Sequence, residues 1–323
     1  MSIGLSAAPQ LPPRRIPDLA RQAEAAGFDQ VWLAEDCFFA GGIAAASAAL
    51  AATRTITVGL GILPAVARNA AFTAMEVAAL AELYPGRVVL GLGHGMTGWM
   101  KQVGAYPRSP LTALGEHLDA VRALLAGHTV TVHGDHVRLD GVGLDHPPSQ
   151  VPPVLAGVRG PRSLELSGAR ADGTILAWPV APAYVRHARA RIDAGRVMAG
   201  RTDHHEIVAG TPIFLDADIA AAERAAGASL AAELLGTTSR THLEPIGIAD
   251  DAAALVAAAG SPEELAARLP ADWVDMLTVA GDPAQCAARI MALQESGVDT
   301  VIVGSGPDID YDIPYGALLA ALR

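Results

Sequence analysis

Short apolar runs alternate with alanine-rich helical runs along almost the whole chain. The fourth apolar run, residues 88–92, is too continuous for a half-exposed strand and is typical of a parallel strand covered by helices. Eight strand–helix pairs can be counted, with strands predicted at 3–7, 30–33, 57–60, 88–92, 154–156, 173–177, 206–215 and 300–303. Eight strands with seven crossovers and a closing helix predict a closed (β/α)8 TIM barrel rather than an open doubly wound sheet.

Two segments depart from this alternation. Residues 129–132 and 137–139 flank a glycine-containing turn at 133–136 and predict a small hairpin insertion. Residues 237–280 predict an irregular helical insertion before strand eight. Because no linker rich in proline and serine divides the chain, we expect a single domain over 1–323.

The charge and the reactive side chains exclude several classes of function. A net charge of −11 argues against nucleic acid or an anionic membrane as the main partner. Lys101 is the only lysine, which weighs against Schiff-base and pyridoxal chemistry. Cys37 and Cys286 form neither a CxxC pair nor a disulfide framework, and no apolar segment reaches the ~18 residues that span a bilayer. We therefore expect a cytoplasmic protein.

Active sites of such barrels lie at the carboxyl ends of the strands. The residues that follow strands two to six are therefore the candidates. They are Glu35 and Asp36, Gly61 and Ile62, residues 93–99, residues 157–161, and Trp178.

The fourth strand runs into a glycine-rich loop, RVVLGLGHGMTGWM at 87–100. Its four glycines, at 91, 93, 95 and 98, remove side chains where the strand should end. Backbone N–H groups could then approach a flat ring or an anion. Alternatively, the glycines only form a tight turn, and His94 and Trp99 are packing residues.

Gly157, Arg159 and Gly160 come immediately before a helix predicted to start near Pro161. Backbone amides and a helix N-terminus are presented to a phosphate in this way, and arginine adds a charge-assisted contact. The same residues could also be ordinary punctuation before a helix. Neither a GxxxxGK[ST] loop nor a GxGxxG in the first βα unit is present, so nucleoside triphosphatases and dinucleotide dehydrogenases are not favoured.

Metal-dependent and covalent hydrolysis find little support. His204, His205 and Glu206 are adjacent, so their side chains point apart, and HExxH and GxSxG are both absent. Glu35 and Asp36 are also adjacent and cannot face each other as a glycosidase pair does. We expect no catalytic metal.

Three motifs, in their order and spacing, carry a family resemblance: VWLAEDCFF, VGLGILPAVARNAAFTAMEVAALAELYPGRVVLGLGHG and VPPVLAGVRGPRSLELSGARADGTIL. The chain resembles the bacterial luciferase-like monooxygenase superfamily, and within it the branch of coenzyme F420-dependent oxidoreductases. The resemblance implies a barrel with an insertion before strand eight, a homodimer, and F420 or FMN lying across the carboxyl ends of the strands.

The resemblance also assigns cofactor-binding residues. Gly61 and Ile62 match a bulge that backs the ring, and we predict a non-prolyl cis peptide between them. Residues 93–95, with His94 between Gly93 and Gly95, match the loop beside the ring. Residues 157–160, which include Val158 and Arg159, match the phosphate loop.

Two departures from the family pattern affect the catalytic residues. Glu35–Asp36 stands where many members have Asp-His, and Met96 replaces an acidic residue. We predict that Asp36 and His94 supply the polar chemistry, with Trp99 and Trp178 as apolar walls. Alternatively, His94 only hydrogen-bonds its loop and Asp36 only caps it.

The leading functional hypothesis is an oxidoreductase that uses reduced F420 to transfer hydride to an electron-poor C=C, C=N or carbonyl of a small organic substrate, or catalyses the reverse. One alternative is a monooxygenase dependent on reduced FMN. A second is a flavin-binding protein without turnover.

Overall fold

The computed structural model describes residues 2–236, 240–304 and 315–323. Its strands are β1 Ser2–Ser6, β2 Gln30–Leu33, β3 Thr57–Pro64, β4 Val88–Gly93, β5 Val130–His133, β6 Arg138–Val142, β7 Val154–Gly157, β8 Gly173–Leu176, β9 Glu206–Leu215, β10 Val279–Gly281 and β11 Thr300–Gly304. Its helices are α1 Ile16–Ala26, α2 Gly42–Ala52, α3 Ala70–Leu83, α4 Thr97–Gln102, α5 Pro110–Leu125, α6 Pro161–Arg170, α7 Pro182–Met198, α8 Ile219–Leu235, α9 Arg240–Leu243, α10 Ala249–Ala258, α11 Pro262–Arg268, α12 Ala271–Leu277, α13 Pro283–Glu295 and α14 Tyr315–Ala321.

The strands form one parallel sheet and one separate hairpin. The hydrogen-bonded order is β10-β9-β11-β1-β2-β3-β4-β7-β8, with an additional β9–β8 pairing. Without β10, this is the strand order of a (β/α)8 barrel. The predicted fold class is therefore confirmed, and β5 pairs with β6 as the predicted hairpin.

Most predicted elements are present at or near their predicted bounds. The sequence also predicts helices at 16–26, 70–83 and 219–235, and α1, α3 and α8 begin and end at these residues, as β2 and β9 do at theirs. Helix α4 was not predicted, nor were α9, α10, α12, β10 and α13 in and around the predicted insertion. The predicted start of the insertion, Thr237, and the predicted start of the last helix, Pro314, lie outside the described residues.

The chain divides into two compact units. The first comprises Met1–Ser6, Leu176–Ala190 and Ile207–Arg323, and the second comprises Ala7–Ile175 and Arg191–Glu206. In the first unit, β10 extends β9 by parallel pairing of residues 279–281 with 213–215. A buried apolar cluster centred on Leu230, Leu265 and Trp273 is the core of its helical part.

The second unit, residues 7–175 and 191–206, contains β2, β3, β4 and β7 as neighbouring parallel strands. Apart from Ile62 of β3, their apolar side chains are almost completely buried, as expected for strands covered by helices. Helix α1 ends at Gly27, whose φ of 94° is the left-handed conformation that glycine adopts most easily. Helix α3 begins after Asn69, whose side chain accepts a hydrogen bond from the Ala71 N–H.

Within the described residues, no helix combines the length and the apolar character that a membrane crossing requires.

Candidate active site

The carboxyl ends of β2, β3, β4 and β7 lie side by side in the second unit. Leu33 pairs with Leu60, Leu63 pairs with Leu92, and Gly93 pairs with Gly157. The candidate residues that follow these four strands are therefore brought to one edge, as the barrel prediction requires.

Strand β3 carries a bulge at the predicted ring position. Its pairing with β4 shifts between Leu60 and Leu63, so that Gly61 and Ile62 stand out of register. The peptide bond between Gly61 and Ile62 is cis, which confirms that prediction. The Ile62 carbonyl accepts a hydrogen bond from the Glu35 N–H at 3.4 Å, which links the bulge to the end of β2.

The Trp32 side chain packs against the bulge. Its indole is 2% exposed and lies against Gly59 and Gly61, where a Cβ on Gly61 would come within 2.9 Å of the ring. The indole N–H donates to Gln30 Oε1 at 2.7 Å, so the buried polar group is satisfied. Trp32 was not among the predicted site residues, although VWL was part of a quoted motif.

The glycines of β4 and β7 do not leave open space at the bulge. The side chain of Ile62 occupies the volume next to Gly91, Gly93 and Gly157. A branched apolar side chain therefore lies beside these glycines, and the role of Gly93 beside a ring stays a prediction.

His94 lies at the end of β4 and contacts the first turn of α6. Its Nε2 lies 3.2 Å from the Ser163 Oγ. Burial lowers the pKa of the His94 imidazole, and the Pro110 carbonyl partly opposes this effect. Burial therefore disfavours the charged imidazolium of His94, and one ring nitrogen is engaged by a hydroxyl group of the chain itself.

Glu35 and Asp36 have different environments at the end of β2. Glu35 Oε2 accepts the Gly42 N–H at 2.7 Å, and the Arg68 guanidinium lies 3.3 Å from Glu35 Oε1. Glu35 therefore binds the start of α2 and forms an ion pair with Arg68. Burial raises the pKa of the Asp36 carboxyl, and among the described residues no cation offsets the effect. Next to it, burial and then the charges of both carboxylates raise the pKa of Cys37.

The predicted phosphate loop leads directly into α6. Gly160 is the N-cap residue and offers no side-chain cap, and a Cβ placed on it would have no atom within 4 Å. Val158 is 3% exposed, so only its backbone could serve a ligand, and Arg159 is half-buried. An uncapped helix N-terminus beside open space can receive an anion.

The loop after β4 contains a helix that was not predicted. Gly95 turns the chain with a φ of 70°, and α4 then places Trp99 half-buried and Met100 almost fully buried. Trp178 belongs to the first unit, where its indole N–H donates to the Leu277 carbonyl at 2.5 Å. The role of Trp178 beside a ring stays a prediction.

Two further residues were missed by sequence reasoning. Ser163 lies 69 positions after His94, and Arg68 lies 33 after Glu35, so neither pairing is visible as a local motif. Across the residues that the structure describes, no group of three or more histidine, cysteine or carboxylate side chains could hold a metal ion.

Comparison with known proteins identifies the family. The model of the luciferase-like monooxygenase family matches residues 2–300, and the chain belongs to this family. It is 32% identical to the 5,10-methylenetetrahydromethanopterin reductase of Methanolobus tindarius over 95% of this chain and 96% of the relative.

Solved structures show the same fold. The coenzyme F420-dependent tetrahydromethanopterin reductase from Methanopyrus kandleri matches with a TM-score of 0.84 and 25% identity, over 99% of this chain and 97% of that one. An F420-dependent secondary alcohol dehydrogenase, solved with an F420-acetone adduct, matches with a TM-score of 0.80 and 23% identity, over 100% and 99% of the two chains. The predicted family, fold and oxidoreductase class are confirmed.

Proposed function

We propose that the protein uses reduced F420 to transfer hydride to an electron-poor C=C, C=N or carbonyl carbon of a small organic substrate, or catalyses the reverse oxidation. One observation carries the proposal: the Ile62 bulge lies near the end of β3, the uncapped start of α6 follows β7, and both strands pair with β4. An apolar platform and an anion site thus lie at one edge. The similar structure named as a coenzyme F420-dependent reductase supports the choice of cofactor.

The residues present fit a ring with a phosphate-bearing tail. The half-buried Ile62 offers an apolar surface, and the open space at Gly160 lies where the first backbone N–H groups of α6 have no side-chain cap. Ile62 would contact the ring, and Arg159 and Gly160 would hold the phosphate. When bound, F420 supplies the two-electron hydride chemistry.

The protein must supply a proton at the substrate, and Asp36 is the better candidate. A carboxyl with a raised pKa retains its proton to higher pH than an ordinary aspartate and can act as a general acid. His94 has a lowered pKa and contacts Ser163. We therefore assign proton donation to Asp36, with Trp99 as an apolar wall, and we assign His94 to the α6 side of the site.

Single-turnover oxidation of the bound, reduced cofactor by an accepted substrate tests this assignment. Asp36→Asn should lower the rate about 10²-fold or more, as expected for loss of a general acid. His94→Ala should keep most of the rate. In the wild type the rate should fall as pH rises through the raised pKa of Asp36. If Asp36→Asn binds cofactor normally and loses less than about threefold, the proton comes from another source.

The alternative of a monooxygenase dependent on reduced FMN follows from the family description. Titration of the purified protein with F420 and with FMN separates the two: we expect tighter binding of F420 and turnover without oxygen. Preference for FMN with oxygen consumption would favour the monooxygenase. Tight flavin binding without turnover on any acceptor would favour a binding protein.

We also propose a homodimer, formed through the outer face of α3. Phe72, Met75 and Leu83 are 64%, 51% and 70% exposed and follow one another at helical spacing along this face. Glu76 and Glu82 are the only charged residues of α3, so most of the helix is apolar, and an exposed apolar stripe often marks an interface. A second copy of the chain, as the family resemblance implies, would cover the stripe.

A further inference from the structure

Three glycines on two neighbouring strands surround a single side chain. A Cβ on Gly157 would lie 2.5 Å from Ile62 Cγ2, and one on Gly93 would lie 3.0 Å from Ile62 Cγ1. A Cβ on Gly91 would lie 3.2 Å from Ile62 Cγ2. Carbon atoms in favourable contact are about 3.5–4.0 Å apart, so a side chain at any of these positions would displace Ile62.

Gly157 depends on Ile62 most directly. The three nearest neighbours of its Cβ position are all Ile62 atoms, with Cβ and Cγ1 at 3.6 Å. Gly91 and Gly93 are also limited by other groups, since a Cβ on Gly91 would lie 2.5 Å from Ile175 Cδ1 and one on Gly93 would lie 3.0 Å from the Gly157 carbonyl. Gly157 is therefore the position at which the fit to Ile62 can be tested alone.

The bulge is held on its other sides as well. The Trp32 indole lies beneath Gly61, and the Glu35 N–H donates to the Ile62 carbonyl. Ile62 is only half-buried, and its β-branched side chain has few rotamers. A rigid apolar surface of this kind fixes the height at which a flat ring can rest.

We propose that Gly91, Gly93 and Gly157 form a socket for Ile62, and that Gly157 is a positioning residue that acts through Ile62 on the cofactor ring. The proposal rests on the proposed function, because it assumes a ring that lies on Ile62. The socket explains why glycine is needed on two strands: the space is reserved for Ile62, and Ile62 alone meets the ring. A larger residue at 157 lifts Ile62 toward the ligand and removes the ring from its proper place.

A double-mutant cycle tests the socket. The variants are Gly157→Ala, Ile62→Ala and the double variant, in which the two Cβ atoms would be in ordinary contact at 3.6 Å. The matched control is Gly210→Ala on β9, a strand glycine whose Cβ position has nothing nearer than the Leu176 carbonyl at 3.9 Å. Dissociation constants for F420 and FMN, the absorption spectrum of the bound cofactor, and the thermal midpoint are measured for each.

We expect Gly157→Ala to weaken binding at least tenfold and to shift the bound spectrum. The double variant should bind within threefold of Ile62→Ala, and Gly210→Ala should match the wild type. Unchanged binding and spectrum in Gly157→Ala, or losses in the double variant equal to the product of the single losses, would overturn the socket. Unchanged binding and spectrum in Ile62→Ala would overturn the contact with the ring.

Two outcomes keep the test decisive. If Gly157→Ala does not fold, a folded double variant supports the socket, and an unfolded one contradicts it; Ile62→Ala still tests the ring contact. If the wild type binds neither cofactor, the proposed function fails. The socket is then tested only by the thermal midpoints, which should change non-additively between the single variants and the double variant.

Discussion

Replacement of Gly168 by alanine should displace α6, the helix whose start forms the proposed anion site. Helices α6 and α7 cross at two reciprocal glycines: a Cβ on Gly168 would lie 2.8 Å from the Ile192 carbonyl carbon, and one on Gly195 would lie 2.7 Å from the Glu165 carbonyl carbon. Both neighbours are backbone and cannot rotate away. Restoring a contact of about 3.5 Å requires the helices to separate by at least about 0.7 Å.

Overpacking of this kind costs about 1–3 kcal/mol, and the higher helix propensity of alanine returns about 0.5–1 kcal/mol. We expect Gly168→Ala to lose about 1–2 kcal/mol of stability. If the displaced start of α6 also loses about 1.4 kcal/mol of binding free energy, F420 binds about tenfold more weakly. Gly195→Ala should behave in the same way. The control is Gly227→Ala on α8, whose Cβ position meets only Val274 Cγ2 at 3.8 Å and which should not destabilise.

Urea unfolding gives the stability and a cofactor titration gives the affinity. If Gly168→Ala is as stable as the wild type and keeps its affinity for F420, the close crossing does not constrain α6, and the link from helix packing to the anion site is refuted. Lost stability with unchanged affinity would refute the link alone.

Three further perturbations follow from the structure. Arg159→Ala should weaken cofactor binding by about one to two decades, the effect of losing a charged contact worth about 1.5–3 kcal/mol, and unchanged affinity rejects the assignment. Met75→Glu should convert the proposed dimer to a monomer in sedimentation experiments, and a wild-type monomer would remove the premise. Burial raises the pKa of Glu24, but hydrogen bonds from residues 54–56 outweigh it and hold the value at about 2. Glu24→Gln should therefore lose about 1–2 kcal/mol of unfolding free energy after allowance for solvent screening. This difference should be present above pH 4.5 and shrink toward pH 2. Asp140→Asn, at an exposed site, should show no such difference in urea unfolding.

The parts of the fold that the sequence predicted well have local signals. Helix α3 starts at an asparagine cap, and α1 ends at a left-handed glycine, so their boundaries follow from short-range chemistry. Helix α13 had such a signal too, because Asp282 and Gln285 form a capping box, but it was overlooked. Helix α10 is rich in alanine and has no clear polar face, so its periodicity is weak.

The candidate site was less predictable because its contacts are long-range. The strand ends could be placed from the alternation alone, since parallel strands in a barrel share one catalytic edge. The environments of His94 and Asp36 could not be predicted in this way, because that of His94 depends on its contact with Ser163 and that of Asp36 depends on burial. The sequence named both as candidate polar groups, and only the structure distinguishes them, because burial lowers the pKa of His94 and raises that of Asp36.

Glycines have two different roles at this edge, and only the structure distinguishes them. The Ile62 side chain fills the space beside Gly157. By contrast, Gly160, three residues later, has no atom of the described residues within 4 Å of its Cβ position. The first glycine serves the packing of Ile62, and the second leaves a helix start accessible. A ligand that suits both must combine an apolar surface with an anionic group, since an apolar platform alone would not select for charge and an uncapped helix start alone would not select for a ring. A free phosphate should therefore bind weakly, because it replaces only the anionic contacts of the cofactor and none of its apolar contacts.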